Sequence, residues 1–320
     1  MTATVPTSRV STLVVTAVEQ PTDRVRVLHL AAPDGGVLPG YSPGANLQIN
    51  AGGKWNSYSL TGLGIAPSEY SVGVLDQGGG SRWIHGNLAV GSEVEVRGPE
   101  NAFAPDLSGR RVFLVAGGIG VTPVLSHARD AARWGRPVDV IYSHRPDAAN
   151  HAEELRALCD RPGSTFTEVG GPEKTQAALD RVLSSSPIGT HAYICGPGPM
   201  IEAFRARAAD YRWPASRVHF EAFAAPELDA GEPFDVIDTA SGRSINVPAG
   251  VSALSALEDA GYRVPNMCRQ GVCGECRLSV TAGVPVHRDM VLTDDERSAG
   301  TSWLPCVSRC EGETLEVALP

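Results

Sequence analysis

Three cysteines near the end of this 320-residue chain, Cys268, Cys273 and Cys276, fall in the spacing Cys-X4-Cys-X2-Cys, and a fourth, Cys306, follows far downstream. Nothing else in the sequence constrains the fold as tightly. Three thiolates so close together must curl one loop around a shared centre, and the fourth must return to it from a separate segment. A [2Fe–2S] cluster needs such a set, and the spacing matches one of its known patterns. Gly271 and Gly274 suit a loop whose backbone turns closely, with N–H groups facing sulfide. Zinc, the other metal reading, usually takes two Cys-X2-Cys pairs, and only one is present here. Of the seven cysteines, Cys310 reads as a bystander and Cys159 as a small core residue. An odd count with metal-type spacing points to a reducing compartment rather than a disulfide framework.

Upstream, the periodicity of the chain changes twice. Over residues 1–106 short β-type runs alternate with turn residues, as in Val25-Arg26-Val27 and Val94-Glu95-Val96, which predicts a small antiparallel β-barrel. Over residues 107–226 strands alternate with helices, which predicts an α/β unit with a parallel sheet. Residues 227–233 read as a linker of small, acidic and proline residues. Residues 234–320 open with strand, turn, strand and one short helix before the cysteine loop. The expected fold class is therefore multidomain: β-barrel, α/β parallel sheet, and a smaller α+β unit.

The second segment opens on the apolar strand Val112–Ala116, followed by Gly117-Gly118-Ile119-Gly120-Val121-Thr122-Pro123. Glycines there let a backbone approach a pyrophosphate, and the following helix N-terminus offers N–H groups and a positive dipole end. Thr122 suits the N-cap position and Pro123 the first helical one. A second strand-end loop, Cys195-Gly196-Pro197-Gly198-Pro199-Met200, repeats the theme.

Taken together, Gly-Gly-Ile-Gly-Val-Thr-Pro, Cys-Gly-Pro-Gly-Pro-Met and the cysteine pattern resemble the phthalate dioxygenase reductase family over nearly the whole chain. The resemblance implies a flavin domain, a nicotinamide domain and a C-terminal plant-type ferredoxin of β-grasp type. That module order favours FMN, and the resemblance favours NADH over NADPH. The family's Arg-X-Tyr-Ser flavin motif corresponds to Asn56-Ser57-Tyr58-Ser59. By resemblance Tyr58 packs on the isoalloxazine and Ser59 bonds near its reactive edge. Asn56 departs from the family's phosphate-binding arginine, which leaves Arg82 or Lys54 to supply charge. Gly79, Gly80 and Ser81 resemble the family's phosphate loop. Phe223, closing Phe220-Glu221-Ala222-Phe223, resembles an aromatic beside the flavin, or is a core residue at a strand end. Cys195 lies near nicotinamide by resemblance, or is a packed thiol.

The chemistry implied is hydride from NADH to FMN, then single electrons through the cluster. None of the eight histidines falls in a catalytic constellation, so no catalytic residue is assigned. The resemblance implies a terminal oxygenase as partner, Rieske-type ahead of a cytochrome P450 or other haem acceptor. A redox sensor without hydride chemistry is a different class, which the nucleotide and flavin motifs oppose. The net charge of −9 disfavours nucleic acid. No stretch reaches the ~20 apolar residues of a membrane span, and Met1–Thr12 lacks a signal-peptide core. The expectation is a cytoplasmic monomer.

Overall fold

The computed structural model describes residues 10–145, 149–223, 229–266, 269–272 and 274–320. The chain divides into one unit from Pro6 to Glu221 and another from Ala222 to Pro320.

The first unit opens with β1 (Ser11–Thr22), β2 (Val25–Ala31), β3 (Asn46–Ala51), β4 (Lys54–Ser59), β5 (Glu69–Leu75), the helix α1 (Gly79–Asn87) and β6 (Glu93–Glu100). These six strands form one antiparallel sheet in the order β4-β3-β6-β1-β2-β5. A bridge between Leu60 and Val72, with Thr61 N–H donating to the Ser71 carbonyl, joins the two outer strands and curls the sheet into a barrel. In β6 Val94 and Val96 face the core while Glu93 and Glu95 face out, the alternation of a one-sided sheet. Where the family resemblance implies a phosphate loop at Gly79, Gly80 and Ser81, the chain begins α1. Glycine gives it little helical propensity, so the helix depends on packing, and Ile84 is its fully buried anchor.

The second half of this unit runs β7 (Arg111–Gly117), α2 (Val121–Arg133), β8 (Val138–Ser143), α3 (Ala152–Cys159), β9 (Thr165–Val169), α4 (Pro172–Ser185), β10 (Thr190–Cys195), α5 (Gly198–Asp210) and β11 (Val218–Glu221). The strands are parallel in the order β11-β10-β7-β8-β9. The chain builds outward from β7 to β9, then crosses back to place β10 on the other side of β7. Ligands of open α/β sheets bind at such a crossover, outside the carboxyl ends of the strands. The buried run of β7 is what a strand covered by helices requires.

The barrel and the parallel sheet are tied together within the unit. Arg129 of α2 donates to the Thr61 carbonyl (2.7 Å) and makes a two-pronged pair with Glu154 of α3 (2.7 and 2.9 Å). Gly73 of β5 is pressed so closely on α2 that a Cβ there would lie 2.7 Å from the Thr122 methyl.

The C-terminal unit contains β12 (Phe234–Asp238), β13 (Ser244–Val247), α6 (Ala253–Asp259), β14 (Leu278–Val286), α7 (Asp294–Ala299), β15 (Ser302–Trp303) and β16 (Arg309–Ala318). Its mixed sheet has the order β13-β12-β16-β14-β15, with β12 and β16 parallel at its centre. Trp303, Leu254, Leu257 and Leu315 fill the core between sheet and α6. Arg309, buried, donates to the carbonyls of Glu232, Pro248 and Val251, and Arg288 pairs with Asp229 (2.6 Å), so residues before β12 are fastened to this unit. Among the described residues no helix is long and apolar enough to cross a membrane.

Candidate cofactor sites

β4 carries Asn56, Tyr58 and Ser59, and its register with β3 sets Asn56 opposite Ile49, Tyr58 opposite Leu47 and Ser59 opposite Asn46. Residues directly opposite share a face of the sheet. Among the described residues the buried Ser59 hydroxyl has no hydrogen-bond partner, nor has the Asn46 side-chain carbonyl. Each such orphan costs about 1–3 kcal/mol. Both lie on one face of the sheet, at the strand that carries the Asn56-Ser57-Tyr58-Ser59 stretch. Burial pushes the Tyr58 hydroxyl up to about 12, so the ring stays neutral and can serve as a stacking surface.

The N-terminus of α1 lies against the same strand. A Cβ on Gly80 would overlap the Asn56 side-chain amide, so a larger residue there would displace Asn56. Gly78 and Gly79 take positive φ (91° and 54°), no side chain caps the helix, and its first turn holds no acid. The Asp76 carboxylate already accepts from Gly78 N–H (3.0 Å), which leaves the N–H groups of Gly79, Gly80 and Ser81 as the candidate donors to an anion. The Ser81 hydroxyl does not join them: it donates to the Gly78 carbonyl (2.8 Å) and accepts from Gln77 N–H (2.9 Å). Of the two proposed cations, Arg82 is paired with Asp76 and the Lys54 side chain is exposed.

At the crossover of the parallel sheet the two glycine loops meet backbone to backbone. A Cβ on Gly120 would overlap the Cys195 carbonyl, and one on Gly117 would lie 2.7 Å from Pro197 and from Met200 Sδ. Gly196 packs on Gly117 at 3.0 Å by the same measure. Gly118, at φ 54°, instead faces open space. The helix begins at Val121 with Gly120 at its N-cap, not at Thr122 as the residue types predict. The reason is local: the Thr122 hydroxyl donates back to the Ile119 carbonyl (3.0 Å), and Pro123 is carried into the first turn. Cys195 is fully buried, and burial, then the Glu221 charge, holds its thiol well above the ordinary range. Glu221 sits beside it in the β10–β11 register. Its place in Phe220-Glu221-Ala222-Phe223 was the available signal, but only strand pairing reveals the neighbour.

Beyond β8, Asp147 lies outside the described residues. His144 there contacts Glu168 (2.9 Å), which also accepts from Arg156 (2.7 Å). Phe223 falls with the C-terminal unit, where its carbonyl accepts from the Gln270 amide (2.9 Å) of the cysteine loop.

Cys268 and Cys273 also lie outside the described residues. Cys276 and Cys306 are both buried. Gly271 and Gly274 have φ of 71° and 79°, and a Cβ on Gly271 would lie 2.5 Å from the Val307 side chain. The cysteine loop is thus folded directly against the segment bearing the distant fourth cysteine. Four thiolates from such a loop and such a return segment fit a [2Fe–2S] cluster.

Comparison with known proteins bears on each half of the chain. Residues 236–311 match the family model described as a 2Fe-2S iron-sulfur cluster binding domain. Residues 93–218 match the N-terminal domain of dimethylamine monooxygenase subunit DmmA-like proteins. The phenoxybenzoate dioxygenase subunit beta of Ectopseudomonas oleovorans is 39% identical over 304 residues, covering 93% of each chain. The heme-dependent oxidative N-demethylase beta subunit of Ectopseudomonas mendocina is 36% identical, covering 87% of this chain and 89% of its own. The solved phthalate dioxygenase reductase superposes with a TM-score of 0.74 at 33% identity, covering 97% of this chain and 98% of its own. This chain belongs to the phthalate dioxygenase reductase family.

It is accordingly an oxidoreductase, an electron-transfer subunit of an oxygenase system with iron–sulfur and flavin domains. The family's three-part organisation explains why glycine loops and cysteines sit in different sheets here. Cys310 stands apart from that chemistry: buried, its thiol raised by burial, it contacts the carbonyls of Glu311 and Thr314. Cys159, raised by burial to about 11, is core filling on α3.

Proposed function

We propose that the chain is a cytoplasmic, monomeric NADH-dependent reductase that feeds a Rieske-type terminal oxygenase through FMN and a [2Fe–2S] cluster. Residues 1–106 form the FMN domain, 107–226 the NADH domain, 227–233 the linker and 234–320 the ferredoxin domain. Bound FMN supplies the exchange between a two-electron hydride and the single electrons that a [2Fe–2S] cluster takes. Gly117, Gly118, Gly120 and Gly196 give the dinucleotide close backbone approach, with Thr122, Pro123 and Cys195 lining the same crossover. Tyr58 and Ser59 hold the flavin ring, and Phe223 is the aromatic that the family resemblance assigns to cofactor binding. Asn56, Gly79, Gly80 and the Ser81 N–H take the flavin phosphate. Cys268, Cys273, Cys276 and Cys306 ligate the cluster.

The observation that carries this reading is the meeting of two glycine loops at the strand crossover of a sheet docked on the barrel through Gly73 and Thr122. The direct test is anaerobic mixing with NADH, which should bleach the flavin and then the cluster. Steady-state kinetics should favour NADH, and a clear preference for NADPH would overturn the cofactor choice. A haem acceptor is the second reading, favoured by the relative named as a heme-dependent oxidative N-demethylase subunit. Reduction rates with a purified Rieske oxygenase and a purified haem protein separate the two.

The orphaned Ser59 hydroxyl yields a test with two signs. Ser59→Ala removes an unsatisfied buried group, so the flavin-free protein should keep its stability or gain up to about 1 kcal/mol. Flavin retention, followed by fluorescence on dilution, should fall several-fold. A variant that loses stability and keeps its flavin affinity would remove Ser59 from the site.

A further inference from the structure

Just after β14, the segment His287-Arg288-Asp289 gathers charge that the electron path above leaves unexplained. The Asp289 side chain is 0% exposed. One carboxylate oxygen accepts from the N–H groups of Val291 (3.1 Å) and Leu292 (2.8 Å). The other has no hydrogen-bond partner among the described residues. Two basic side chains face it. Arg297 of α7 donates to the Asp289 carbonyl and stands 3.8 Å from the carboxylate, and His287 Nδ1 stands 3.8 Å from the orphaned oxygen. Neither His287 nitrogen has a hydrogen-bond partner among the described residues. Arg288 points away, to Asp229.

The position of this group gives it meaning. Met290 N–H donates to the Gly271 carbonyl (2.9 Å), and a Cβ on Gly271 would lie 3.1 Å from Asp289 Cα. Asp289 therefore abuts the loop between Cys268 and Cys273. A neutral asparagine would serve the turn at Val291 and Leu292 equally well, so the turn alone does not account for a buried charge. Buried charges are weakly screened and act at range, and net charge near a cluster is one of the terms that sets its potential.

We propose that Asp289 and Arg297 are opposed positioning charges that set the reduction potential of the [2Fe–2S] cluster. This rests on the reading of the four cysteines as its ligands. Asp289 disfavours the added electron and Arg297 favours it, and neither ligates iron. The experiment is an EPR-monitored redox titration of the full-length protein, with iron content and oxidised absorption measured on the same samples. One elementary charge at ~10 Å through an effective dielectric of about 20 moves an equilibrium about tenfold. Asp289→Asn keeps an acceptor for both N–H groups and should shift the flavin–cluster equilibrium about tenfold toward reduced cluster, about 59 mV for one electron. Arg297→Gln, at a partly exposed side chain, should shift it a comparable amount the other way. Shifts of opposite sign support the proposal, because general loosening moves both variants together. Potentials within twofold of the parent equilibrium, or shifts of the same sign, overturn it. Should Asp289→Asn fail to retain iron, the sign of the Arg297→Gln shift decides. A parent protein without any cluster overturns the ligand reading itself.

Discussion

Replacing Cys306 with alanine is expected to give a protein that still reduces its flavin with NADH and delivers no electrons to an acceptor. The thiol is buried on the segment after β15, beside Val307, whose side chain is pressed onto Gly271 of the cysteine loop. Removing one of four thiolates should release iron and sulfide almost completely, read by iron assay and loss of cluster absorption. Ligation stabilises only the folded loop, so the C-terminal unit should also melt at lower temperature. Flavin reduction should stay within about twofold, because Pro6–Glu221 has cores of its own. An iron-free variant that cannot reduce flavin would show that the modules are not separable.

Gly120→Ala should be nearly as damaging to the other end of the path. Its new methyl would overlap the Cys195 carbonyl, a backbone atom that cannot rotate aside. Overpacking of this kind costs about 1–3 kcal/mol. The movement needed to relieve it would part the two glycine loops, so the KM for NADH should rise at least ~10-fold, the equivalent of about 1.4 kcal/mol. Gly135→Ala, just past α2, is the matched control: a Cβ there meets no atom, and only its φ of 66° penalises a side chain, by about 1 kcal/mol. Equal effects from the two variants would show that backbone contact at the crossover is not what the glycine serves.

The apolar strand before Gly117 and the alternation in β6 are local signals that led to the elements observed, and the cysteine spacing pointed to the 2Fe-2S domain that the family model matches. What stayed hidden depends on partners distant in sequence. α1 has three glycines in nine residues, Gly79, Gly80 and Gly86, and forms because Ile84 finds the barrel core. β9 is short and half-exposed, at the sheet edge, so its sequence lacks a buried run. The start of α2 moved by two residues because a threonine hydroxyl found a carbonyl behind it, an outcome residue types alone do not decide. At the candidate sites, the motifs pointed to Tyr58 and Ser59 but not to Asn46, which enters through strand register. Likewise Asp289 reads as one more surface acid until the fold buries it against Gly271.

The bond from Arg129 to the Thr61 carbonyl, with Gly73 pressed on Thr122, bears on how such proteins can be recombined. A cut near residue 106 follows the change in sequence periodicity, yet it would strand a guanidinium, a carbonyl and the contact face of β5 at once. Grafting a relative's barrel onto this parallel sheet would demand matched changes on both sides of that seam. A graft joined at Glu221 and Ala222 exchanges the iron–sulfur unit with its own fastening residues, Arg288 and Arg309, still holding Asp229 and Glu232. Heritable exchange of electron outlets should therefore break the chain there, leaving barrel and parallel sheet to evolve as a single piece.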